Sequence, residues 1–255
     1  MKLEEVRAVI TGGASGLGHA VAQRLVAAGA KVTLIDVNEE AGQTAARTLG
    51  AGAFFQSGDV TNEAVIDACV AKAHAEMGGL NLAVNCAGVA WPRRLVNKEG
   101  PMPGDFFRKV VEINLVGTLL VSKAAAALMQ ANKPNEEGER GVIVMTASVA
   151  AFDGQIGQVA YSASKSGVAG MTLPMARDLS SSGIRVMTIA PGIFRTPMMA
   201  SLPQEAQDSL GKQVPFPPRL GHPEEYAALV GHICTNTMLN GECIRLDGAI
   251  RMAPR

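Results

Sequence analysis

The feature that most constrains this chain is the sharp break at Thr11-Gly12-Gly13-Ala14-Ser15-Gly16-Leu17-Gly18. It separates a short apolar run at residues 7–10 from an apolar-periodic stretch at 17–28, and a second apolar run at 31–35 follows and ends in Asp36. That order predicts strand, glycine turn, helix and strand, the start of a parallel βαβ unit. Glycines let a backbone turn tightly and approach a ligand closely. The helix that follows offers an anion its free N–H groups and the positive end of its dipole. The spacing Gly12-x-x-x-Gly16-x-Gly18 differs from the commoner G-x-G-x-x-G, so the turn alone is weak evidence for a nucleotide. Asp36 strengthens it. It falls where an acidic side chain meets the adenosine ribose hydroxyls, the other reading being a helix cap. A carboxylate there repels a 2′-phosphate, and neither Val37, Asn38 nor the turn supplies a cation, which favours NAD over NADP.

The alternation continues along the chain. Strands are predicted at 53–57, 82–85, 141–146, 184–190 and 243–246. Helices are predicted at 62–77, 105–130, from Tyr161 to about 179 with a bend at Pro174, and at 224–235. Strands alternating with helices imply an α/β fold, a Rossmann-type doubly wound parallel sheet, and no composition break divides the 255 residues into more than one domain. Asp59-Val60 follows the third strand, where Asp59 either meets the adenine amino group or caps the next helix. Cys86-Ala87-Gly88 follows the fourth; small residues there let a flat cofactor lie on the backbone, and they also suit plain packing. Residues 89–103 form a long loop with Trp91, Arg93, Arg94 and Lys98, either the mouth of the site or a solvated connection. Residues 193–222, rich in proline and methionine, predict two short helices with hinges, a small lid over the substrate.

Chemistry concentrates at Tyr161-Ser162-Ala163-Ser164-Lys165, with Ser148 upstream. On a helix of about 3.6 residues per turn, Tyr161 and Lys165 share a face. A nearby ammonium favours a phenolate, so Tyr161 can exchange a proton with an alcohol or carbonyl while the Ser148 hydroxyl holds the reacting oxygen. Asn114 sits in an apolar neighbourhood where a buried amide needs partners.

Composition narrows the alternatives. Acidic and basic residues balance at zero net charge, which gives no electrostatic case for nucleic acid or an anionic membrane surface. No apolar run reads as long enough to cross a bilayer. The four cysteines form no C-x-x-C pair and the four histidines no ligand spacing, so neither a disulfide framework nor a metal site is expected. The acidic start, Met1-Lys2-Leu3-Glu4-Glu5, is unlike a signal or transit peptide, and a cytoplasmic protein is expected.

Taken together, Thr11-Gly12-x-x-x-Gly16-x-Gly18, Asn85-Cys86-Ala87-Gly88, Asn114, Ser148, Tyr161-x-x-x-Lys165 and Pro191-Gly192 resemble the short-chain dehydrogenase/reductase family over nearly the whole chain. Within it, Thr146-Ala147-Ser148-Val149-Ala150-Ala151-Phe152, Val214-Pro215-Phe216-Pro217 and Arg245-Leu246-Asp247-Gly248 are similar to the type 2 3-hydroxyacyl-CoA dehydrogenases. The resemblance implies NAD-dependent oxidation of a secondary alcohol to a ketone, with 3-hydroxyacyl-CoA as substrate, and a homotetramer. A steroid or another CoA-free secondary alcohol is the alternative substrate, and a non-catalytic nucleotide-binding scaffold a third reading. It also implies roles: Tyr161 as acid/base, Lys165 lowering its pKa and holding the nicotinamide ribose, Ser148 on the substrate oxygen, and Asn114 anchoring a water in a proton relay. Implied cofactor contacts are Gly12, Ser15, Gly16, Leu17, Gly18, Asp36, Asp59, Val60, Cys86, Ala87, Gly88, Pro191, Thr196 and, beside the nicotinamide, Phe194. The 91–103 segment and Arg195 depart from the subgroup's pattern at the substrate mouth.

Overall fold

The computed structural model describes residues 1–200 and 203–254. Seven strands form one parallel sheet: β1 (Arg7–Thr11), β2 (Lys31–Asp36), β3 (Ala53–Ser57), β4 (Leu82–Asn85), β7 (Gly141–Thr146), β8 (Ile184–Pro191) and β9 (Cys243–Leu246). Their order is β3-β2-β1-β4-β7-β8-β9. Between β3 and β4 the chain crosses from one edge of the sheet back to its centre. The order therefore reverses between β1 and β4, the crevice where ligands of open parallel sheets bind.

The central segments are strands covered on both faces. In β1, Ala8 and Ile10 enter one core layer and Val9 the other. The same period of two recurs in β7, where Val142 and Val144 face one way and Ile143 and Met145 the other. Helices α1 (Gly16–Ala27), α2 (Glu39–Leu49) and α9 (Pro223–Thr235) cover one face, and α3 (Glu63–Met77), α5 (Gly117–Met129) and α6 (Val159–Leu179) cover the other. Asn38 caps α2 through Ala41 N at 3.0 Å and Asn62 caps α3 through Val65 N at 3.2 Å.

Several expectations need revision. The helix expected at 105–130 runs as α4 (Gly104–Val111), a π-helical turn (Glu112–Val116) and α5. This 26-residue stretch, Gly104–Met129, is long and apolar enough to cross a membrane, contrary to the reading that no run is. Half of its apolar window is buried inside the protein, with Val121, Ala125 and Met129 packed into the core under the sheet, as in a core helix. The loop at 89–103 carries a small hairpin, β5 (Val96–Asn97) paired antiparallel with β6 (Gly100–Pro101). α6 carries Pro174 within its length. In 193–222 the two short helices are α7 (Pro197–Ala200) and α8 (Gln204–Lys212); Ser201 and Leu202 of that segment lie outside the described residues.

Candidate active site

The site is built at the carboxyl ends of β1, β4 and β7. Gly12, at φ 64°, turns the chain out of β1, and a Cβ there would stand 2.9 Å from Ala87 N, so only glycine lets this turn lie against the segment after β4. A Cβ on Gly18 would meet the Gly12 carbonyl oxygen at 2.5 Å, which makes glycine obligatory on the first turn of α1 as well. Thr11 ties the two segments together, its Oγ1 accepting from Ala87 N at 3.2 Å. Ser15 precedes α1 in an extended conformation and makes no side-chain cap, and no acidic residue lies in the first turn. The leading N–H groups are thus uncapped by side chains and suit an anion.

Asp36 ends β2 beside this turn. Its Oδ2 accepts from Ala14 N at 3.2 Å and its Oδ1 from Asn38 N at 3.0 Å, so it braces the glycine turn and leaves the capping of α2 to Asn38. Asp59 is exposed and bonds Thr61 N and Oγ1 at 2.9 and 2.8 Å; Asn62, not Asp59, caps α3. Val60 is buried against Gly117, where a Cβ would stand 2.7 Å from its side chain.

Tyr161 and Lys165 lie one turn apart on α6, with the Lys165 Nζ 5.9 Å from the Tyr161 ring centre. Ser148, just beyond β7, hydrogen-bonds the Tyr161 phenol, and its Oγ accepts from Ala150 N at 3.1 Å. Burial raises the phenol's pKa and the Ser148 bond lowers it part of the way back. The charge effect expected of Lys165 is not among these causes. Burial instead pushes Lys165 itself down to about 8, opposed by its interaction with Cys86. The Lys165 ammonium donates to the Thr146 carbonyl oxygen at 2.7 Å. Gly88 separates it from Asn114: a Cβ there would stand 3.5 Å from Nζ and 2.9 Å from Asn114 Oδ1.

Asn114 is fully buried on the π-helical turn. Its Oδ1 accepts from Val89 N at 2.8 Å, and its Nδ2 donates to the Val89 oxygen at 2.9 Å and to Ser164 Oγ at 3.0 Å. Ser164 in turn donates to the Tyr161 carbonyl oxygen at 2.7 Å, so one amide links the segment after β4 to the helix that carries Tyr161. Beneath Lys165, Thr146 Oγ1 pairs with the fully buried Tyr226 hydroxyl at 2.7 Å and lies 3.6 Å from Cys86 Sγ.

Pro191 ends β8. Beyond it Phe194 is buried and bridges Gly221, and Thr196 lies against Gly16, within 3.6 Å of the position a Cβ would take. The fold thus gathers Ser148, Tyr161, Lys165, Asn114 and Gly88 into one locus, with Gly12, Cys86 and Ala87 beside them. Gly16, Pro191, Phe194 and Thr196 flank it, and Asp36 joins the glycine turn. Asp59 stands further along the edge. Thr11, Ser164, Thr146 and Tyr226 support the site and were not singled out as site residues in the sequence. A lone threonine, serine or tyrosine carries no periodic signal, and Tyr226 is distant in sequence from everything it touches.

At the loop, Trp91 and Phe106 lie 6.3 Å apart, with Arg93 over the Phe106 ring at 5.5 Å and Lys109 over Trp91 at 5.9 Å. Arg93 N donates to the Gly157 oxygen at 2.8 Å and ties the loop to the approach to α6. No group of His, Cys, Asp or Glu suited to a metal ion occurs among the described residues.

Comparison with known proteins adds to this geometry. The family described as short chain dehydrogenase matches residues 6–207. The 3-hydroxyacyl-CoA dehydrogenase type-2 of Drosophila melanogaster is 53% identical over 248 residues, covering 96% of this chain and 97% of the relative. The enzyme of that name from Homo sapiens is 53% identical over 249 residues, 97% and 95% of the two chains. The crystal structure of 3-hydroxyacyl-CoA dehydrogenase type-2 from Mycobacterium avium superposes with a TM-score of 0.95 at 44% identity, covering 99% of this chain and 98% of that one.

Proposed function

Because this chain belongs to the short-chain dehydrogenase family, whose members are oxidoreductases that use a nicotinamide cofactor, we propose that it oxidises 3-hydroxyacyl-CoA to 3-oxoacyl-CoA with NAD. The observation that carries this reading is the meeting of Ser148, Tyr161 and Lys165 beside the uncapped start of α1, in a chain so similar to 3-hydroxyacyl-CoA dehydrogenases. The residues present fit the cofactor. The glycine turn leaves backbone N–H groups for a pyrophosphate, Asp36, beside that turn, would meet the ribose hydroxyls, and the exposed Val37 gives a 2′-phosphate no cation.

When bound, the nicotinamide supplies the hydride acceptor. Tyr161 takes the hydroxyl proton of the substrate as the carbinol C–H bond breaks, and returns it in the reverse direction. Ser148 donates to the same oxygen and holds it against the phenol. Lys165, anchored on the Thr146 carbonyl, would hold the nicotinamide ribose with its remaining N–H groups, and Asn114, across Gly88, would serve the onward proton route.

A substrate panel tests the reading. Rates with a 3-hydroxyacyl-CoA and with the matching CoA-free alcohol are compared, each with NAD and NADP. A large kcat/KM advantage for the CoA thioester with NAD is expected. No gain from CoA would overturn the substrate, and equal use of NADP would overturn the cofactor preference.

The same reading extends to assembly and location. We place the protein in the cytoplasm as a homotetramer that takes a small-molecule substrate and neither nucleic acid nor membrane. Self-association is supported by the exposed apolar side chains of Phe152, Ile156 and Phe216 around the C-terminal segment, where Ile156 N donates to the Pro254 oxygen at 3.1 Å. Light scattering checks the tetramer and cell fractionation the location.

A further inference from the structure

One wall of the site is left without a role by the chemistry above. A cavity of about 610 Å³ opens between the start of α1 and the segment after β8, and Gly16, His19, Gln23, Arg195, Thr196 and Glu224 are among its lining residues. Gly16 and Thr196 also belong to the cofactor cradle, so this cavity runs up to the place where the cofactor's pyrophosphate would meet the uncapped N–H groups of α1.

The electrostatics of that place are incomplete. The pyrophosphate carries two negative charges, and neither the glycine turn nor the first turn of α1 contains a Lys or Arg. Backbone N–H groups and a helix dipole worth about half a charge offset only part of this. Arg195 is exposed, lines the cavity with Gly16, and takes part in none of the ion pairs among the described residues. Its backbone is fixed: Arg195 N donates to the Gly221 oxygen at 2.8 Å, and the preceding Phe194 is buried and bridged to Gly221. A long cationic side chain on a fixed backbone, next to Thr196, reaches an anion at the start of α1 at little cost in backbone order. His19, on the same wall, has a buried Nδ1 with no hydrogen-bond partner. Glu224 is the one carboxylate in the lining; it opposes an anion and competes for the Arg195 guanidinium.

We infer that Arg195 is a cofactor-binding residue that clamps the cofactor's pyrophosphate against the first turn of α1 from the segment after β8. The inference rests on the nicotinamide-dinucleotide reading above and adds a residue that the glycine-turn pattern does not contain. A guanidinium suits the role because its planar fork donates two parallel hydrogen bonds to phosphate oxygens, whereas Lys offers a point charge.

Calorimetric titration of the full chain with NADH, ADP-ribose, adenosine and free CoA tests it. ADP-ribose contains the pyrophosphate without the nicotinamide, and adenosine contains neither. In Arg195→Gln the dissociation constants of NADH and ADP-ribose are expected to rise about tenfold, while that of adenosine stays unchanged. The rise should shrink at high salt, where charge attraction is screened, and Arg195→Lys should recover part of it. Unchanged ADP-ribose affinity in Arg195→Gln overturns the inference, as does an equal loss for adenosine. If CoA binding alone weakens, the guanidinium serves the substrate's phosphates and the cofactor assignment is wrong. Failure of the wild-type protein to bind NADH or ADP-ribose would instead count against the cofactor reading, so the two failures are distinguishable.

Discussion

At the residue scale, burial sets Lys165 against its own charge. Its ammonium is pushed down to about 8, while burial raises the neighbouring Cys86 thiol, which therefore stays neutral at that pH. Tyr161 is raised too, so near pH 8 the titration in this corner belongs to Lys165. If the charged ammonium holds the cofactor ribose, NADH affinity is full below about pH 8 and falls as pH rises through it. Titration calorimetry across that range should show the decline in the wild type and a flat profile in Lys165→Met. Tyr161 separates chemistry from binding. Tyr161→Phe removes the group proposed to take the substrate proton, and a rate loss of at least about a hundredfold is expected. NADH binding should persist, because the phenyl ring keeps its packing; near-normal NADH production by this variant would remove Tyr161 from the mechanism.

At the scale of elements, α9 shows how a helix start couples to pH. Glu225, in its first turn, accepts from His222 N at 2.7 Å and receives both arms of Arg219 at 2.9 and 2.8 Å. Arg219 is the largest cause holding its carboxyl down at about 2. A folded value below the unfolded one, about 4.3, means that the stabilisation is complete above roughly pH 4.5 and is lost as pH falls toward 2. Glu225→Gln should lower stability by about 1 kcal/mol at neutral pH, since the pair is partly exposed and screened. The gap in Tm between the two proteins should close below pH 3 or so, as the wild-type carboxyl protonates. The π-helical turn at Glu112–Val116 is the other element with a consequence. It buries Asn114 so that a single amide braces both Val89 and Ser164, joining two sides of the site.

For the molecule as a whole, the ion pair of Arg185 with Glu139 ties β8 to the segment that enters its neighbour β7. Arg185 Nη2 lies 2.7 Å from Glu139 Oε1, both side chains are under one-tenth exposed, and the guanidinium also donates to the carbonyl oxygens of Ile233 and Leu239. Removing one partner leaves the other charge buried, so Glu139→Gln should cost about 3–5 kcal/mol in equilibrium denaturation. This pair lies at the amino ends of the strands, opposite the catalytic end, so kcat of the surviving folded fraction should stay near the wild-type value. An equal loss of kcat would show that the two ends are coupled.

The sequence by itself determined the seven strands, the glycine turn and the Tyr161-Lys165 face, because each is a local pattern: period two, four glycines in seven residues, or one helical turn. It also pointed to Ser148 as a hydroxyl upstream of that face and to Asn114 as an amide in apolar surroundings, with the proton-relay role of Asn114 added by the resemblance. The hairpin at Val96–Asn97 and Gly100–Pro101, the π-helical turn and the braced state of Asp36 escaped it, since each depends on what packs nearby rather than on neighbours in sequence. Only the tertiary structure decided that Thr146 and Tyr226 underlie Lys165, that burial rather than Lys165 dominates the phenol's acidity, and that Arg195 shares a cavity with Gly16. Burial and through-space contact join residues far apart in the chain, and a one-dimensional pattern carries no record of those distances.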